Sequence, residues 1–232
     1  MSIHIKQLWR YPVKSLAGEQ IGEAMLGPNG IPGDRIVHVV GPEGVRTARR
    51  HHRLLGLRGT LGPQGPLING QPWNSESALE MIRQAAGSDA WLEAWDGPER
   101  FDILPLLVAT DGAVAAFGRD VRRLRPNIVL SGVEGLDERA WEGAQLQIGA
   151  AVLRLESLRG RCVMTTVDPD TLERDPEVLK DIVRRFGGRL ALDTDIERGG
   201  LVRVGDDVVL SFKRDRHDPR STPAGRNAGA RS

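Results

Sequence analysis

Turn-forming residues interrupt nearly every apolar stretch of this chain, and that punctuation limits it to short elements. Gly accounts for 28 and Pro for 14 of the 232 residues. They cluster in segments such as Gly27-Pro28-Asn29-Gly30-Ile31-Pro32-Gly33-Asp34, Gly41-Pro42-Glu43-Gly44 and Gly187-Gly188, where a turn is favoured over continued helix or strand. No apolar run approaches the roughly 18 residues of a membrane-spanning helix. The first residues, Met1-Ser2-Ile3-His4-Ile5-Lys6-Gln7-Leu8-Trp9, alternate polar and apolar without an apolar signal core. The expectation is a cytoplasmic protein with no membrane partner. Hydrophobic residues at 40% and charged residues at 27% still supply a sizeable core.

The pattern between the turns predicts strands at 3–10, 20–27, 35–40, 90–95, 127–131, 161–167, 201–204 and 207–212, and a strand or hairpin over 145–156 around Gly149. A helix is predicted over 77–86, with Ser77 and Glu80 at capping-box spacing. A shorter one is predicted over 112–118. The clearest covers 176–186: Asp175 can cap it, Pro176 suits its first turn, and Leu179, Ile182, Val183 and Phe186 form one apolar face before Gly187-Gly188. This is a mainly β (α+β) chain with a few helices. A composition shift after Gly97-Pro98 divides it into 1–97 and 98–213. Residues 214–232 carry almost no apolar side chains and are expected to be a disordered tail.

Charge and motif content narrow the function. Lys and Arg total 32 against 31 Asp and Glu, a formal net charge of +1, which argues against a nucleic-acid partner held by bulk charge. P-loop, HExxH, G-x-S-x-G and dinucleotide-binding patterns are absent from the sequence. The five His show no catalytic arrangement. Cys162 is the one cysteine, so neither an internal disulfide nor a Cys-rich metal site can form. A lone Cys on an apolar strand is usually a small buried hydrophobe. Here Arg159 and Arg161 precede it, and cationic neighbours favour the thiolate that attacks electrophiles or binds metal. A metal on Cys162 would draw its other ligands from a cofactor. A second group is basic and polar: Lys14-Ser15, Gly33-Asp34-Arg35 and Arg125-Pro126-Asn127 each present donors suited to an oxyanion, or else a solvated loop charge, an internal ion pair or an exposed helix face.

Tyr11-Pro12-Val13-Lys14-Ser15, Gly33-Asp34-Arg35, Thr47-Ala48-Arg49, Arg125-Pro126-Asn127, Arg161-Cys162-x-x-Thr165-Thr166-Val167-Asp168-Pro169 and Val204-Gly205-Asp206 occur in this order. The series resembles the MOSC family, proteins similar to the C-terminal domain of molybdenum-cofactor sulfurase. The resemblance is closest to members with an N-terminal β-barrel region, such as the amidoxime-reducing component and its bacterial relatives, and covers about residues 1–212. It implies a MOSC-type β-barrel at 98–213 with peripheral helices, an N-terminal β-rich subdomain, and a molybdenum cofactor (Mo-molybdopterin). At family level it also implies pyridoxal phosphate binding.

Carried over residue by residue, the resemblance makes Cys162 the catalytic metal ligand. Lys14, Ser15, Arg35, Arg125, Asn127 and Arg161 would contact the cofactor, with Thr110 and Asp111 at a polar pair near its phosphate. It implies an oxidoreductase acting on N-hydroxylated or other N–O or S–O small molecules, fed by an external electron-donor protein. Two other readings stand beside it: sulfur transfer through a persulfide on Cys162, and a non-catalytic cofactor carrier. Three positions differ from the family pattern. Arg159 stands where a second Cys is often found, Leu172 where Gly commonly follows Asp170-x, and Leu190-Ala191-Leu192-Asp193-Thr194-Asp195 lacks an expected aromatic.

Overall fold

The computed structural model describes residues 2–95 and 97–212; the predicted disordered tail lies outside them. Seven strands form the larger unit: β1 (Ile3–Arg10), β2 (Leu106–Thr110), β3 (Ile128–Ser131), β4 (Gln145–Ile148), β5 (Ala151–Gly160), β6 (Arg189–Arg198) and β7 (Asp207–Ser211). They are hydrogen-bonded in the order β3-β2-β6-β5-β4-β7-β1, and β1 pairs back onto β3, closing a barrel. Strands β2 and β3 run parallel, and the other neighbours run antiparallel. Closure leaves no free edge between these strands. Strand β1 buries Ile5 and Leu8, three residues apart, because its register against β3 shifts between Ile5 and Gln7. Both join Leu106, Ile128, Leu146, Leu153 and Leu192 in the barrel core.

A second core lies in the N-terminal half. Val13, Leu16, Val37, Val39, Leu54 and Ile68 pack against Ala78, Ile82 and Ala86 of helix α1 (Glu76–Ala86). Two small antiparallel sheets frame it, one of Val37–Gly41, Gly44–Val45 and Trp91–Ala94, the other of Gly59–Gly62, Gly65–Ile68 and Gln71–Pro72. Helices α2 (Asp111–Phe117) and α3 (Pro176–Phe186) share a third cluster through Phe117, Val178, Ile182 and Phe186. Helix α3 matches the predicted bounds, with Asp175 as its cap and Gly187 left-handed at its end, but its buried face is Val178, Ile182 and Phe186, and the predicted Val183 is 58% exposed. Among the described residues no helix is long and apolar enough to cross a membrane.

Four local readings need correction. Residues 161–167 are not a strand: β5 ends at Gly160, and Val163–Thr166 form a 3-10 turn with Cys162 at its head. The Thr165 N–H and hydroxyl both donate to the Cys162 carbonyl, and the Thr166 hydroxyl donates to that of Val163. Such local bonds compete with a ladder. Residues 189–198 lie outside the predicted strands yet form a long barrel strand, in which Leu190, Leu192, Thr194 and Ile196 alternate with Arg189, Asp193, Asp195 and Glu197. The 20–27 segment divides at Gly22 into Glu19–Ile21 and Glu23–Leu26. Helix α1 is capped by Ser75, which accepts from the Ala78 N–H at 3.2 Å, not by Ser77.

Candidate functional site

A cavity of about 290 Å³ opens where the loops after β1 meet the ends of β3 and β5. Its N-terminal wall starts at Lys14 and Ser15. The Lys14 Nζ donates to the Arg100 carbonyl at 2.8 Å and pairs with Asp102 at 3.1 Å. Asp102 also pairs with Arg49 at 2.9 Å. Burial opposes the charge on Asp102, but Lys14 and Arg49 outweigh it and hold the carboxyl below its ordinary range. Fully buried Asp34 organises the neighbouring loop: it accepts from the Tyr11 N–H at 2.7 Å and from the Asn127 amide at 3.3 Å, and it pairs with Arg35.

The barrel supplies the opposite wall. The Arg125 guanidinium lies 4.3 Å from the centre of the Tyr11 ring, and that of Arg35 lies 5.1 Å from it. The Tyr11 hydroxyl donates to the Pro126 carbonyl at 3.0 Å, and burial pushes it up to about 12, so it stays protonated at neutral pH. Burial lowers Arg125 from the usual guanidinium value. Arg159, at the end of β5, pairs with buried Asp193 of β6. Arg161 donates to the Leu124 carbonyl at 2.7 Å, while its Nε is buried without a partner. Burial, and then the like charge of Arg159, bring Arg161 down to about 10. Cys162 is half-buried beside it and interacts electrostatically with Arg49 from the facing wall.

Three residues of this cavity have left-handed backbones without being glycine: Ser15 at φ 72°, Arg35 at 56° and Arg125 at 57°. Such conformations cost free energy and persist where surrounding contacts over-determine them. A second cleft of about 400 Å³ adjoins the first, shares Arg123, Arg125 and Met164 with it, and is walled by Trp9, Tyr11, Val167 and Pro169.

Of the residues singled out from sequence, Lys14, Ser15, Arg35, Arg125, Asn127, Arg161 and Cys162 all line the cavity. Asn127 spends its polar atoms internally: its Oδ1 accepts from the Leu107 N–H, and its Nδ2 donates to the Trp9 carbonyl and to Asp34. Thr110 and Asp111 are not among the lining residues. Thr110 caps α2 by accepting from the Ala113 N–H, and Asp111 accepts from the N–H groups of Gly112, Gly132 and Val133. Arg49, Asp102, Arg123 and Arg159 also line the cavity, though none of them was assigned to the cofactor site from sequence. Arg49 stood within a quoted motif and Arg159 at a position already noted as divergent. Asp102 carried no signal, because its role depends on partners far away in the chain.

Fold and cavity together define a β-barrel protein that sets one cysteine among guanidinium groups. The profile of the MOSC N-terminal beta barrel domain matches residues 2–115, and that of the MOSC domain matches residues 111–209. The chain belongs to the MOSC family. It is 28% identical over 277 aligned positions to mitochondrial amidoxime reducing component 2 of Macaca fascicularis, covering 88% of this chain and 82% of the relative. It is also 28% identical over 183 positions to molybdenum cofactor sulfurase of Anopheles gambiae, covering 79% of this chain and 20% of the relative. Among solved structures, the YuaD protein from Bacillus subtilis shares the fold, with a TM-score of 0.52, 16% identity and coverage of 92% and 98% of the two chains.

Proposed function

We propose that the chain is a molybdenum-cofactor-dependent oxidoreductase that reduces N-hydroxylated or other N–O or S–O small molecules. The observation that carries this reading is the placement of the single thiol, Cys162, in a cavity walled by guanidinium groups, one of which keeps a buried, unpartnered Nε. Among the described residues no three or more His, Cys, Asp or Glu side chains group to hold a metal. A metal on Cys162 would therefore take its other ligands from a bound molecule, and a thiolate is a suitable soft donor for it. The cations suit the anionic portions of a pterin phosphate. The donor set thus fits the cofactor.

When bound, the cofactor supplies two-electron redox chemistry able to release a substrate oxygen as water. The chain's part is to hold and tune it. Cys162 provides one ligand. Lys14, Ser15, Arg35, Arg125 and Arg161 present donors from both walls. Asn127 acts as a positioning residue, fixing Asp34 and through it Arg35. Tyr11 stays protonated and serves as a platform under two guanidinium groups. Thr110 and Asp111 support the cavity from outside by anchoring α2. Electrons come from an external donor protein.

Expression in a host that makes the cofactor, followed by metal and pterin analysis, tests the reading. Molybdenum near one equivalent is expected in the unsubstituted chain, with loss in Cys162→Ala. Protein without molybdenum or pterin overturns it. Exposure of Cys162 also permits sulfur transfer: a labile extra sulfur on that residue after incubation with a sulfur donor, in metal-free protein, would favour that role.

A further inference from the structure

Arg159, like Arg49 and Arg123, is a cavity cation to which the cofactor gives no task. It lies two residues before Arg161, across Gly160, and both line the cavity that holds Cys162. Asp193, 1% exposed, fixes Arg159 from the neighbouring strand. Arg161 has no carboxylate partner and keeps its Nε buried and unbonded. Arg49 faces the thiol from the other wall. Seven cations line this cavity, and four carboxylates pair with them: Asp34, Asp102, Asp168 and Asp193. Holding guanidinium groups together away from water is unfavourable unless an anion arrives between them. Lys14, Arg35 and Arg125 stand on the loops given to the cofactor. Arg49, Arg159 and Arg161 line the same cavity as Cys162, with Arg161 next to it in the chain.

We propose that Arg49, Arg159 and Arg161 form an anion subsite beside the Cys162 Sγ, which takes a carboxylate or a similar small oxyanion of the substrate. The favoured substrates are then anionic N–O or S–O compounds. A guanidinium presents a planar fork that matches a carboxylate bidentately, and the excess of cavity cations over their paired carboxylates disfavours basic substrates by repulsion. Arg159 is the specificity-determining residue, and Asp193 is its positioning residue. The substrate assignment rests on the function proposed above; the subsite itself does not.

The test uses the full chain purified without molybdenum. Cys162 is alkylated with iodoacetate, a small carboxylate, and separately with neutral iodoacetamide. In each case the thiolate displaces iodide and forms an S–CH2 bond, so the reagents differ mainly in charge. The ratio of the two rates, divided by the same ratio for the urea-unfolded chain, reads the subsite. We expect it to be raised about fivefold, as for a few partly screened charges near the sulfur. Millimolar sulfate should slow iodoacetate, while chloride at equal ionic strength should not. Arg159→Gln should remove about half of the increase in the logarithm of the ratio, and Arg159→Lys should keep most of it. If Arg159→Gln fails to fold, sulfate competition on the unsubstituted chain still decides.

A ratio no higher than in unfolded protein overturns the subsite, even if molybdenum is found in separately loaded protein, in which case the cofactor reading stands. A raised ratio that sulfate suppresses supports the subsite, even if loaded preparations contain no molybdenum and the cofactor reading falls. With active enzyme, a carboxylate-bearing N-hydroxy substrate should show a KM about tenfold below that of its methyl ester, a difference Arg159→Gln should cut to about threefold. Equal KM values would overturn the substrate class.

Discussion

Leu172 has φ 61°, a left-handed backbone that β-carbon sterics disfavour. Its family position commonly carries Gly, so the sequence departure points to a real local conflict. The side chain compensates by packing over Gly56, where a Cβ would meet Leu172 Cδ1 at 2.6 Å. Two terms of about 1 kcal/mol each, backbone strain and half-buried apolar area, therefore oppose one another. Leu172→Ala keeps the strain and loses the packing, so urea unfolding should place it below Leu172→Gly in stability, the reverse of the usual order. A second residue-scale effect is pH-dependent. His38 is 3% exposed and stacks on Trp95 with centroids 5.7 Å apart. Burial, then the charge of Lys14, lowers it from 6.5 to about 4. The unfolded chain thus binds the proton more readily. Stability from this group is complete above pH 6.5 and is lost as pH falls toward 4, by about 3 kcal/mol. Urea midpoints at pH 7 and pH 5 should differ in the unsubstituted chain and differ less in His38→Gln.

At the scale of elements, legibility followed how a segment is stabilised. The bounds of helix α3 could be read from its own residues because cap, Pro and terminal Gly all lie within the segment, whereas its buried face, which takes Val178 and leaves Val183 out, depends on the elements packed against it. The 3-10 turn after Cys162 could not, because its β-branched residues read as strand while their hydroxyls bond backward to carbonyls. Strand β6 alternates, with Leu190, Leu192 and Ile196 set against Asp193, Asp195 and Glu197, but its three acidic residues have low strand propensity and hide that pattern. The start of α2 shows the same division of labour. Asp111 ties it to Gly132 and Val133, and a Cβ on Gly112 would lie 2.5 Å from the carbonyl oxygens of Val133 and Gly135. Asp111→Ala should cost about 2 kcal/mol in thermal or urea unfolding. Gly112→Ala should cost more, because backbone rather than a flexible side chain stands in the way. In folded Asp111→Ala protein, molybdenum content per chain should stay unchanged; selective loss of cofactor would place Asp111 in the site instead.

At the scale of the whole molecule, the cavity belongs to neither half alone. Lys14, Arg35 and Arg49 come from the N-terminal half and Arg125, Arg161 and Cys162 from the other, so the motifs were legible in order while their convergence was not. Ion pairs such as Arg49–Asp102 and Arg159–Asp193 join residues distant in sequence, and no local pattern announces them. A ligand bound across both halves should stabilise them together. Cofactor-loaded protein should melt several degrees above cofactor-free protein in one cooperative transition; independent melting of the halves would contradict this.

Barrel closure also sets the timing of folding. The first barrel strand in chain order, β1, hydrogen-bonds to residues 128–131 and 207–208. Apart from the nearby Glu19–Ile21, its pairing partners are among the later segments made, so during synthesis the oldest part of the barrel waits for the youngest. Pairings this distant in sequence form slowly and leave nascent edges open to association. A chain ending before β7 lacks one of the two strands that flank β1 in the ring, and it should accumulate as aggregate or chaperone-bound material rather than as a smaller barrel.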